Sequence, residues 1–156
     1  MTYVILDTNT LLLFLVGTTN LKYIQKHKRT DQFTEENFKT LLEILPSDSV
    51  IIYPPHVAAE VSNLIDYASN EIMKIEIFEN FSKFINLQNE ISIKSINAIK
   101  DDQFIKLGLT DSTLLLLSEM KHAGKKAHLI TADLKLAIAA EIRGYDVTNF
   151  NHLLDC

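Results

Sequence analysis

Two kinds of apolar segment alternate along the chain: short runs rich in β-branched residues, and longer stretches with apolar positions three and four apart. The short runs cover residues 3–6, 50–53, 127–131 and 145–148, and none alternates polar and apolar residues cleanly. That pattern predicts strands covered on both faces, as in a parallel sheet. Between them the helical signals are punctuated. Thr34-Glu35-Glu36-Asn37 reads as a capping box opening a helix over 37–45, and Pro46 ends it. Pro55 suits the first turn of a helix reaching about residue 68, and a second helix runs from Asn70 to about residue 84. A helix from Asp111 to about His122 is stopped by Gly124, and another over 134–143 by Gly144. The stretches 17–30 and 91–106 carry the least pattern, and the first predicts a long connection or an irregular helix.

Strands alternating with helices predict an α/β fold: three α/β/α layers around a central parallel sheet of about four to five strands, joined by right-handed crossovers. With 156 residues, no internal repeat and no linker-like stretch, the chain reads as one domain over 1–156. A content of 47% hydrophobic and 22% charged residues excludes disordered and disulfide-stapled classes. The sole cysteine is Cys156, so no disulfide forms within the chain, which suits a reducing compartment. The apolar run 11–16 is far short of the roughly 20 residues that span a bilayer, and no basic segment precedes it. The expectation is a cytoplasmic protein with no membrane partner. A net charge of −5 argues against coating nucleic acid by bulk positive charge. A cluster of acids held by cations would produce the same balance.

In an open α/β sheet, ligands gather at the carboxyl ends of the strands, so polar residues just after strands carry the most functional weight. Asp7 follows the first strand within Asp7-Thr8-Asn9, and Asp133 follows the third within Thr131-Ala132-Asp133. Either acid is also a good helix N-cap. Asp111 opens an apolar helix after Gly108-Leu109-Thr110, where it equally complements the helix dipole. Glu60 flanks the apolar stripe Val57, Val61, Leu64, Ile65 and Ala68, so its head either reaches water or enters a site. Singly, each acid has a structural explanation. Converging on one crevice, four carboxylates would repel strongly unless hard divalent cations neutralised them. Oxygen-only donors favour Mg²⁺ or Mn²⁺, and two such ions would activate water and stabilise the leaving oxygen of a phosphoryl displacement. Such crowding also predicts that Asp7→Asn or Asp133→Asn stabilises the metal-free chain.

In order and spacing, Leu6-Asp7-Thr8-Asn9, Glu60, Gly108-Leu109-Thr110-Asp111 and Thr131-Ala132-Asp133 resemble the pattern of PIN-domain nucleases over about residues 3–150. The resemblance implies a PIN-like fold with Asp7, Glu60, Asp111 and Asp133 as metal-binding acids, and Asn9 and Thr131 as polar positions that orient ligands or water. It implies a metal-dependent endoribonuclease leaving 5′-phosphate and 3′-hydroxyl ends on an RNA substrate. Many small bacterial members of that family are VapC-type toxins held by an antitoxin, so an antitoxin protein and a homodimer enter as partner expectations. The segment 17–48 is longer than its counterpart in the smallest such toxins. A catalytically silent PIN-like module that binds RNA or protein is the alternative, because function rests on site geometry.

The densest basic stretch, Lys22-Tyr23-Ile24-Gln25-Lys26-His27-Lys28-Arg29, reads as a solvated surface or as a phosphate rail for RNA. A helix there would align Lys22, Lys26 and Arg29, with Lys28 also a candidate substrate contact and Tyr23 available for stacking. Lys121, Lys125 and Lys126 form a weaker second patch. His56, four residues before Glu60, is a further ligand candidate, whereas His128 reads as a packed strand residue.

Overall fold

The computed structural model describes residues 1–154, and Cys156 lies outside them. Strand β1 (Thr2–Leu6) leads into α1 (Thr8–Thr19), the single-turn α2 (Tyr23–Lys26) and α3 (Glu35–Ile44). Strand β2 (Ser49–Tyr53) is followed by α4 (Pro55–Ile65) and α5 (Glu71–Leu87). Edge strand β3 (Asn89–Glu90) precedes two short helices, α6 (Ser95–Ala98) and α7 (Phe104–Leu107), and then α8 (Leu109–Glu119). A small hairpin of β4 (Lys121–His122) and β5 (Lys125–Lys126) opens into β6 (His128–Thr131), α9 (Leu134–Ile142), β7 (Val147–Asn149) and a 3-10 turn at Phe150–Leu153. The main sheet has five strands in the order β3-β2-β1-β6-β7, every pairing parallel.

Consecutive residues Val4, Ile5 and Leu6, and likewise Leu129 and Ile130, are fully buried. Neighbours in a strand point to opposite faces, so helices cover the sheet on both sides. Crossover handedness assigns the layers. The steps β1 to β2 and β2 to β3 run one way along the sheet, placing α1, α4 and α5 together; β3 to β6 and β6 to β7 run the other way, placing α8 and α9 opposite. The direction of travel reverses between β1 and β6. In such sheets that reversal leaves a crevice at the carboxyl ends of the two strands.

The capping box forms as expected: the Thr34 hydroxyl accepts from Asn37 N–H at 3.0 Å, and the Asn37 side chain accepts from Thr34 N–H at 2.9 Å. Three details differ from the sequence reading. The two-residue β3 is too short to carry a hydrophobic pattern, so it went unread. Helix α8 stops at Glu119 rather than near His122, because Lys121 and His122 pair antiparallel with Lys126 and Lys125. Ala123 and Gly124, with φ of 49° and 81°, make the two-residue turn of that hairpin, so Gly124 serves a hairpin and not a helix end. The expected irregularity after residue 17 is also displaced, since α1 runs through Gly17 to Thr19. No helix among the described residues is long and apolar enough to cross a membrane.

The stretch 91–107 forms α6, α7 and turns, and it is tied down by α9. Arg143, just past the last residue of α9, donates two parallel bonds to Asp101 at 2.7 and 2.8 Å and one to Asp102 at 2.6 Å. The guanidinium holds the Asp101 carboxyl below its ordinary range. Between α7 and α9 lies a groove of about 230 Å³ with Gln103 and Lys106 on one wall and Ile138 and Ile142 on the other.

Gly17 lets α3 press against α1, since a Cβ built there would lie 2.3 Å from the buried Phe38 ring. Replacing a mid-helix glycine by alanine ordinarily stabilises by about 0.5–1 kcal/mol. Here Gly17→Ala is expected to lower the unfolding free energy in urea by about 1–3 kcal/mol, the usual effect of overpacking. Adding Phe38→Leu should recover part of the loss. A single variant more stable than wild type would show that α3 shifts freely over α1.

Candidate functional site

The crevice between β1 and β6 opens into a pocket of about 190 Å³, walled by Asp7, Asn9, Glu60, Asp111 and Asp133 with Thr8 and Leu64. Three of these acids arrive at helix starts: Asp7 caps α1, Asp133 caps α9, and Asp111 lies in the first turn of α8. Three helix N-termini therefore converge on the pocket and lend it positive potential that partly offsets the carboxylates. Glu60 comes from the middle of α4 and is exposed. A second hollow of about 370 Å³ shares Glu60 and Asp111 and continues along residues 107–110.

The four carboxylates are not equivalent. Asp7 is 4% exposed, and both its oxygens are filled. Oδ1 accepts from the Thr10 N–H at 2.9 Å and the Thr10 hydroxyl at 2.6 Å; Oδ2 accepts from the Thr131 hydroxyl and from Ala132 N–H at 3.0 Å. Burial pushes the Asp7 carboxyl above its ordinary range, and these donors pull it only part of the way back. Glu60 is gripped by two hydroxyls: Thr8 donates to Oε1 at 3.2 Å, and Thr110 donates to Oε2. Asp133 accepts from Leu136 N–H at 3.1 Å through one oxygen. Asp111 is pushed up to about 7, first by burial and then by Asp133, Asp7 and Glu60. It bears the repulsion of the cluster.

Asn9 stands exposed at the rim. Thr131 lies behind the wall: its buried hydroxyl donates to Asp7 and accepts from Asp133 N–H at 2.9 Å, so it orients a carboxylate. Sequence reading missed Thr8, Thr10 and Thr110. The signal for Thr10 was present, since a hydroxyl three residues after an N-cap aspartate can reach its carboxylate. As placed, no group of three or more His, Cys, Asp or Glu side chains among the described residues is disposed to hold a metal ion. Each oxygen of Asp7 accepts two hydrogen bonds, whereas each oxygen of Glu60 accepts one from a threonine hydroxyl and keeps a lone pair open. The donor chemistry is nonetheless that of a hard cation site: oxygen only, anionic, and short of neutralising charge.

The basic stretch folds differently from a continuous helix. Because α2 is one turn long, Arg29 lies beyond it, and Lys22, Lys26 and Arg29 do not share a helical face. All of Lys22, Lys26, Lys28 and Arg29 are exposed, above a backbone that is pinned. Buried His27 accepts from Arg29 N–H through Nδ1 at 3.1 Å, which leaves Nε2–H facing the Ile65 carbonyl at 3.3 Å. Burial lowers its pKa, in keeping with a neutral ring. The Ser69 hydroxyl donates to the Lys26 carbonyl at 2.9 Å. Tyr23 is half-buried and donates its hydroxyl to Glu76 at 2.7 Å, so it is not the free stacking ring expected. Lys121, Lys125 and Lys126 precede β6 and so lie at the amino end of the sheet, opposite the acids. His56 is not on the pocket wall; its Nε2 lies 2.9 Å from the Ser95 hydroxyl. His128 is bonded in place between Asp146 at 2.9 Å and Thr148 at 2.7 Å. No protein-family model matches the chain, and no curated protein sequence matches it.

The geometry divides the acids by what neutralisation does to the fold. In chelator, Asp111→Asn is expected to raise the melting temperature, because it removes the most strongly repelled charge. Asp7→Asn is expected to lower it, reversing the sequence-based expectation, because an amide nitrogen cannot accept two of the four hydrogen bonds. The folded chain holds the Asp111 proton up to about 7 against an ordinary value of 3.8, so the folded state binds that proton more tightly. Stability should therefore fall as pH rises from about 4 to about 7, by at most about 4 kcal/mol at about 1.4 kcal/mol per unit. Melts at about pH 5 and about pH 8 check this. Equal losses in wild type and Asp111→Asn would clear Asp111 of the effect.

Proposed function

We propose that the chain is a PIN-like, metal-dependent nuclease that hydrolyses RNA phosphodiester bonds. The observation that carries this reading is the single pocket at the carboxyl ends of β1 and β6 walled by Asp7, Glu60, Asp111 and Asp133. Its electrostatics support it, since burial and three neighbouring acids push the Asp111 carboxyl up to about 7, and a cation in the pocket would favour its charged form. An all-oxygen anionic set suits Mg²⁺ or Mn²⁺, which would supply a Lewis acid and a water of lowered pKa. Glu60, Asp111 and Asp133 are the residues that would hold the cation, with Asp7 at the base. Thr10 and Thr131 fix Asp7, and Thr8 and Thr110 steady Glu60. Asn9 offers an amide donor and acceptor at the rim, where a phosphate oxygen or a water would be oriented. The three helix N-termini favour an anionic phosphodiester. No side-chain nucleophile is required. The same reading makes a cytoplasmic location and, as partners, an antitoxin protein and a second copy of the chain the expectation.

One observation favours a second reading, a catalytically silent module that binds RNA or protein. Asp7 already has both its oxygens satisfied within the chain, and Glu60 is held by two threonine hydroxyls, as structural carboxylates are. Purified protein with single-stranded RNA separates the two. Cleavage is expected in Mn²⁺ and not in chelator, and Asp111→Asn should slow it by at least about two orders of magnitude while remaining folded. Free Mn²⁺ at about 100 times its dissociation constant should stabilise wild type by about 2.7 kcal/mol and the variant by less. RNA binding with neither cleavage nor stabilisation by metal would leave the silent module.

A further inference from the structure

Helix α4 passes the acid pocket and continues beyond it. Glu60 and Leu64 line the pocket, and past Leu64 the chain tightens: Tyr67 N–H donates to the Leu64 carbonyl at 3.1 Å and Ala68 N–H to the Ile65 carbonyl at 3.0 Å. Residues three apart share a side of such a turn, so Tyr67 follows Leu64 on that side of α4, about one turn further along. Tyr67 is 46% exposed, and the Arg29 guanidinium lies 4.3 Å from its ring centroid. The pocket wall thus leads directly to an arginine stacked on an open aromatic ring.

The cations of the segment that carries Arg29 are free of acids. None of Lys22, Lys26, Lys28 and Arg29 makes an ion pair among the described residues. Asp66, beside Tyr67, is engaged by Lys74 at 2.5 Å, and the basic segment itself carries no acid, Asp31 lying two residues past its end. The segment is also held still, through His27 against Ile65 and through Ser69 against Lys26. Unpaired cations on a pinned backbone, one of them stacked on an exposed aromatic ring, are the components with which proteins bind unpaired nucleotides: charge for the phosphates and a π face for the base. A duplex has no free base face to offer the ring.

We infer that Arg29 and Tyr67, with Lys26 and Lys28 on the same segment, form a subsite for a nucleotide of single-stranded RNA next to the one at the acid pocket. The placement of the strand relative to cleavage rests on the nuclease reading; the binding itself does not. Anisotropy of a fluorescent single-stranded oligoribonucleotide, measured in chelator over a range of salt, tests it. Tyr67→Ala should weaken binding by roughly five- to a hundredfold with an unchanged salt slope, and Tyr67→Trp should restore it. Arg29→Gln should weaken binding and reduce the salt slope by about 0.7. Replacing Lys121, Lys125 and Lys126 together by glutamine should change little, since they lie at the other end of the sheet. Wild-type affinity in a folded Tyr67→Ala variant, equal affinity for a duplex of the same length, or no binding by wild type would each overturn the subsite. Cleavage in Mn²⁺ without Tyr67-dependent binding would sink the subsite and keep the nuclease. Tyr67-dependent binding without cleavage would do the reverse.

Discussion

Four hydrogen bonds meet on the carboxylate of Asp7, and the architecture turns on them. Two come from Thr10, at the start of α1, and two from Thr131 and Ala132, at the end of β6. Thr10 and Ala132 follow β1 and β6, the two strands that flank the place where the sheet changes its direction of winding, so these bonds join the two strand ends beyond their last backbone pairing. A buried carboxylate without donors is unfavourable by several kcal/mol, so Asp7 enforces the approach of its partners as much as they tolerate its charge. The Thr10 hydroxyl strengthens the joint by also lying 3.2 Å from the Ile130 carbonyl.

Around that joint the remaining acids are arranged by a different rule. Asp111 and Asp133 sit where helix N–H groups point outward, and Glu60 sits where two threonines can reach it. Each position is tolerable alone, and the cost of crowding falls on Asp111, whose ionisation is opposed first by burial and then by Asp133, Asp7 and Glu60. A pocket of this kind has its scaffold in the hydrogen-bonded member and its responsiveness in the unpaired one. That division is why two chemically identical aspartates are expected to react oppositely to the same substitution.

The layers, the parallel sheet and the four acids could be read from short apolar runs and the polar residues that follow them, because strand ends in such sheets carry both signals at once. What escaped had no local signature. β3 is two residues long and pairs only because Ile52 and Tyr53 lie beside it. The end of α8 was misplaced because Gly124 serves helix stops and hairpin turns equally well. Thr8 and Thr110 earn their place through Glu60, roughly 50 residues from each, a pairing that only the folded chain makes. Tyr67 was hidden similarly: its partner Arg29 belongs to the least patterned stretch of the chain, beyond the one-turn α2, and lies 38 residues away in sequence.

The Arg143 clamp has a mechanical meaning. From Arg143 and Asp101 two arms reach toward the pocket, α9 ending in Asp133 and α7 leading into Asp111, with a hollow of about 230 Å³ between them. They resemble tweezers pinned at the base, whose tips carry like charges. Because the pin is a bidentate ion pair with the Asp101 side chain only 5% exposed, the arms are held at their base, and repulsion between the tips acts against the packing along them. The spacing of Asp111 and Asp133 is therefore set as in a spring, by a balance between charge at one end and packing along the arms, and not as in a strut of fixed length.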